Sequence, residues 1–79
     1  MIPRYGVVWL ELAREQYDAL PLAARTHVDA RLVDLAEQPY GPGYDERTDQ
    51  WTTTYGDGLG VILYAVVRRP PRVIVLRVV

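Results

Sequence analysis

A chain of 79 residues makes one small domain, which buries only ~60% of its extended surface, and without cysteine no disulfide braces it. The single histidine and missing thiols exclude a histidine-rich or thiolate metal site, and 49% apolar content excludes disorder. A formal charge of −1 gives no global attraction to nucleic acid, so an RNA-binding face requires segregation of charge.

All nine cations are arginine, and asparagine, phenylalanine and serine are absent; GC-rich coding explains this bias more simply than selection for arginine chemistry. The longest apolar run, Leu59 to Val67, is nine residues, against roughly 20 for a spanning helix. The N-terminal MIPRYGVVWL is too short in its apolar part for a signal peptide, so a cytoplasmic protein with no membrane partner is expected.

In chain order, Arg4 to Trp9 has the residue types of a strand. Leu10, Ala13, Tyr17 and Leu20 then recur at helical spacing, with Glu11, Arg14, Glu15 and Asp18 opposite them. Pro21 ends that helix and is suited to the first position of the next. Leu22, Ala24, Val28, Leu32, Leu35 and Ala36 form the apolar stripe of a second helix, which Pro39 stops; His27, Arg31, Asp34 and Gln38 share its polar face. So short a connection predicts an antiparallel helical hairpin.

Pro39 to Asp49 is predicted to be a loop. Gln50 to Tyr55 alternates, with Trp51, Thr53 and Tyr55 on one side and Gln50, Thr52 and Thr54 on the other. Gly56-Asp57-Gly58 is a turn, Leu59 to Val67 an apolar strand, Arg68 to Pro71 a second turn, and Arg72 to Val79 a last strand. The last two strands are apolar on both faces, whereas two helices cover one. The second face is therefore either concave and self-filled or covered by a partner.

The order and spacing of these pieces resemble the RelE/ParE superfamily, the toxins of type II toxin–antitoxin modules. The resemblance rests on Trp9 closing the first strand, Ala13, Leu20-Pro21, Leu32-x-x-Leu35-Ala36-Glu37-x-Pro39, Tyr55-Gly56-Asp57 and the Val73–Val78 strand. It implies a single α+β domain over 1–79, β-α-α-β-β-β. The helical hairpin would pack on one face of a small, mostly antiparallel four-stranded sheet.

It also implies an antitoxin partner and no cofactor or metal. The target would be the ribosome and its mRNA, cleaved with basic side chains on the sheet as phosphate ligands. In the ParE branch the target would instead be gyrase. A noncatalytic binding module and a structural homodimer remain open beside these.

The residues depart from the family where its charge sits. Thr52 and Thr54 stand where it carries Arg or Lys, and Leu59-Gly60-Val61 has no arginine after the turn. The family continues past the last strand with a basic residue and then His or Tyr, whereas the sequence here runs to Val79. A weakened active site is expected, since losing one cationic partner of a transition-state phosphate costs about a hundredfold or more in rate.

Arg77, mid-strand among valines, is the catalytic candidate, its stem packed on the open face and its head solvated. Arg47, Arg68, Arg69 and Arg72 are the nucleic-acid-binding candidates, set against plain solvated turns. Val61, Leu63, Tyr64, Val73 and Val75 are the partner-interface candidates. His27 is expected to be an ordinary exposed histidine, and Trp51 a sheet anchor. Of the tyrosines, Tyr40, Tyr44, Tyr55 and Tyr64 have the chemistry to stack on bases, with core packing preferred for Tyr55 and Tyr64.

Overall fold

A computed structural model describes residues 4–79. Strand β1 (Gly6–Trp9) leads into α1 (Glu11–Asp18) and α2 (Leu22–Glu37), followed by β2 (Tyr44–Asp45), β3 (Gln50–Tyr55), β4 (Gly60–Val67) and β5 (Arg72–Val78). The strands form one sheet in the order β1-β5-β4-β3-β2, antiparallel except for β1 beside β5. The expected α+β architecture is present with five strands rather than four. The additional strand is β2, whose two residues are too few to show a period. Tyr44 lies opposite Trp51, with the ring centroids 4.6 Å apart.

The helices cover one face of the sheet. Ala13 of α1 and Val28, Leu32 and Leu35 of α2 close over Tyr55, Ile62, Tyr64, Val73, Val75 and Val78 in a single core. Leu10 and Leu22 depart from the expected stripes. Leu10 keeps extended backbone ahead of α1 and donates its N–H to Val75 O, while Leu22 opens α2 and is 72% exposed. Pro21 precedes the first helical residue rather than being it, and Gln38 is extended ahead of Pro39 as the proline requires.

Polar contacts also fasten the helical layer to the sheet. The Tyr64 hydroxyl donates to Pro39 O at 2.7 Å in the interior, and Gln16 Oε1 accepts from Val78 N at 2.9 Å, beyond the end of β1. At the β3–β4 turn Gly56, Asp57 and Gly58 all have positive φ. Asp57 is the one that needs the tolerance of a short polar side chain for the left-handed region.

The register of β5 against β4 is irregular. Val73 lies opposite Val66, Val75 opposite Tyr64, and Arg77 opposite Leu63, so Leu76 is an extra residue with no partner. Strict alternation would put Arg77 beside Val73 and Val75 under the helices. The bulge at Leu76 reverses the faces, so Val78 takes the core position and Arg77 points away from it. No helix among the described residues is long and apolar enough to cross a membrane.

Candidate functional site

The face without helices is built from alternate residues of β1, β5, β4 and β3. Its rows run Gly6–Arg72–Val67, Val8–Ile74–Ala65, Arg77–Leu63–Thr52 and Val61–Thr54. Val61, Leu63, Ala65, Val67 and Ile74 are half-buried although no layer lies over them, whereas Val8, Thr52, Thr54, Arg72 and Arg77 are exposed. The apolar side chains shield one another, and the two arginines stand on opposite sides of them along β5.

Three interface candidates do not belong to this surface. Tyr64, Val73 and Val75 are 2%, 0% and 0% exposed in the core, because β4 and β5 turn these positions toward α1 and α2. Val61 and Leu63 remain.

The arginine candidates do not converge. Arg77 and Arg72 share the open face, five residues apart on β5. Arg68 turns to the helix side and lies over the Tyr40 ring, 5.7 Å from its centroid. Arg69 is exposed in the β4–β5 turn. Arg47 is 89% exposed and paired loosely with Asp45 at 3.7 Å, worth little at such exposure. Among the described residues the open-face positions of β1, β3, β4 and β5 carry no His, Asp, Glu or Tyr to move a proton. Asp45 on β2 faces the same way but is three strands from β5, about 15 Å at ordinary strand spacing. No cluster of three or more His, Cys, Asp or Glu is placed to hold a metal among the described residues.

Sequence reasoning passed over Arg31. From α2 it donates Nε–H to Thr54 O at 3.0 Å, and its guanidinium lies 3.7 Å from Asp34. This puts a cation beside the half of β3 that β2 leaves unpaired. It borders a cavity of about 520 Å3 also lined by Gln38, Thr52 and Thr54. The signal was available in the shared helix face of His27, Arg31 and Asp34, but only the strand pairing reveals which edge that face meets. His27 is exposed, against Gly56 of the hairpin turn.

A second cluster gathers at the end of the sheet where β4 turns into β5. Tyr5, Tyr40, Trp51 and Tyr44 form a chain of rings with centroids 6.1, 5.5 and 4.6 Å apart. The Tyr5 and Tyr40 hydroxyls are 3.1 Å apart. That hydrogen bond raises the pKa of Tyr5 and lowers that of Tyr40, which the Arg68 guanidinium lowers further. Either hydroxyl can donate to the other. Tyr44 donates to Asp49 at 2.7 Å, and that bond raises its pKa.

No protein-family model matches the chain, and no curated protein matches it. Solved structures do. A free E. coli toxin RelE with two arginines replaced by alanine superposes with a TM-score of 0.82 at 19% identity, over 95% of this chain and 81% of that one. A chain of the intact E. coli RelBE toxin–antitoxin complex gives 0.82 at 21%, over 94% of this chain and 93% of that one. The RelBE2 toxin–antitoxin complex of Mycobacterium tuberculosis gives 0.80 at 24%, over 95% of each chain. The helical hairpin on a mixed sheet, across nearly the whole chain, is the RelE fold.

Proposed function

We propose that the chain is the toxin-type component of a toxin–antitoxin pair, acting in the cytoplasm, with RNA cleavage much reduced relative to RelE-type nucleases. The observation that carries this reading is the open sheet face. It has the half-buried apolar surface of a protein-binding face, with Arg77 and Arg72 exposed on it, but Thr52 and Thr54 where the resemblance places phosphate-binding cations. The neighbours seen in complex with antitoxins support a protein partner for that face. Arg77 is the candidate catalytic cation, since the Leu76 bulge turns it onto the open face opposite Leu63.

The test joins this chain with the product of its neighbouring reading frame, expected to be a small protein with an amphipathic C-terminal half. The two should copurify, and Leu63→Arg, which puts a charge amid the apolar face, should separate them. A pair that stays associated with Leu63→Arg, or a chain that forms only a homodimer through this face, contradicts the reading.

A further inference from the structure

Tyr40, Tyr44, Asp49, Trp51, Val66 and Arg68 line a cavity of about 460 Å3, on the helix side of the sheet and away from the open face. Its floor is Trp51, which pairs across β3 and β4 with buried Tyr64 and stacks on it, with centroids 6.4 Å apart and planes 17° apart. Its walls are accessible, for Tyr40 is 37% and Tyr44 45% exposed. Tyr44 is held against Trp51 by its bond to Asp49. Arg68 stands at the Tyr40 side, over its ring, and Asp49 stands at the other.

The contents of this cavity select a ligand. A purely apolar molecule would desolvate Arg68 without a partner, and a cation would meet its charge. A simple anion would leave the exposed rings unused. A planar ring joined to a phosphate uses both, because aromatic faces accept any base and a guanidinium binds phosphate in a fork.

We infer that this cradle binds one nucleotide of single-stranded RNA, its base against Tyr44 and Trp51 and its phosphate on Arg68 and the Tyr40 hydroxyl. The choice of RNA rests on the proposed function; the geometry of ring and phosphate does not. The cradle gives the chain a hold on RNA that is separate from the face carrying Arg77.

The experiment uses the purified chain with Trp9→Phe, which leaves Trp51 as the reporter. It is titrated with a short single-stranded oligoribonucleotide, an abasic oligomer of the same length, and inorganic phosphate. The oligoribonucleotide should quench Trp51, and the abasic oligomer should bind about tenfold more weakly without quenching. Arg68→Gln and Tyr44→Leu should each weaken binding about tenfold at unchanged melting temperature, while Arg14→Gln on α1 should not. Absent binding, binding that leaves Trp51 fluorescence unchanged, or binding lost with Arg77→Ala but kept with Arg68→Gln would overturn the assignment. Because neither ribosome nor protein partner is present, failure here leaves the toxin reading intact, and failure to arrest growth in cells leaves the cradle intact.

Discussion

Tyr64→Phe isolates the contact that joins the helical hairpin to the central strand. The Tyr64 side chain is 2% exposed, and its hydroxyl reaches Pro39 O at 2.7 Å; Pro39 itself is fully buried. Removing the oxygen keeps the ring and its stacking on Trp51, but leaves the Pro39 carbonyl without a partner or water. A buried acceptor stranded in this way costs about 1–3 kcal/mol. In a domain of this size that lowers the melting temperature by about 5–20 °C, a large share of a total stability of roughly 4–12 kcal/mol. Urea and thermal unfolding followed by circular dichroism measure the loss. A change below about 0.5 kcal/mol would show that the carbonyl is hydrated and would refute the dry junction.

The same variant has a pH signature. Burial raises the pKa of Tyr64 above the ordinary tyrosine value of 10.0. Both folded and unfolded chains hold the proton below that value; above it the unfolded chain ionises first, so stability falls as pH rises from about 10 toward the folded pKa. Tyr5, Tyr17 and Tyr44 shift the same way, so the alkaline loss should be shallower in Tyr64→Phe rather than abolished; identical slopes would count against a buried hydroxyl.

Other substitutions separate packing from function. Gly43→Ala would bring its Cβ within 2.1 Å of Thr52 O, a backbone atom, and should destabilise by about 1–3 kcal/mol in urea unfolding. Ile62→Ala, in the core at 0% exposure, should cost about 2–5 kcal/mol. Arg77→Ala, exposed across from Leu63, should change stability by less than about 0.5 kcal/mol while lowering any residual RNA cleavage. Deleting Leu76 should be tolerated, because it makes the ladder regular while keeping Val75 and Val78 in the core and Arg77 outside; amide exchange along β5 reads this directly.

Much of the fold was legible because its signals are local. Pro39 ends α2 through its effect on Gln38, the Gly56–Gly58 turn needs positive φ, and the period of Val28, Leu32 and Leu35 marks the buried helix stripe. What was not legible depends on register. The unpartnered Leu76 decides which way Arg77 points, and two strands apolar on both faces do not say which face the helices take, so the pattern alone does not reveal that Tyr64, Val73 and Val75 form the core rather than an interface. Arg31 was hidden similarly, since a polar helix face says nothing of the strand edge it will meet. The aromatic cluster is visible in the sequence only as separate rings, because Tyr5, Tyr40 with Tyr44, and Trp51 come from three parts of the chain.

We propose a RelE-fold toxin component whose open face binds a protein but cleaves RNA poorly. Inducing the chain in a bacterial host without its neighbouring gene, and mapping transcript ends on ribosomes, tests it most directly. The expected result is growth inhibition weaker than that of RelE-type toxins that keep the sheet cations, with few cuts at ribosomal A sites, increased by Thr52→Arg with Thr54→Arg. Strong growth arrest with transcripts cut at ribosomal A sites by the unmodified chain would contradict it.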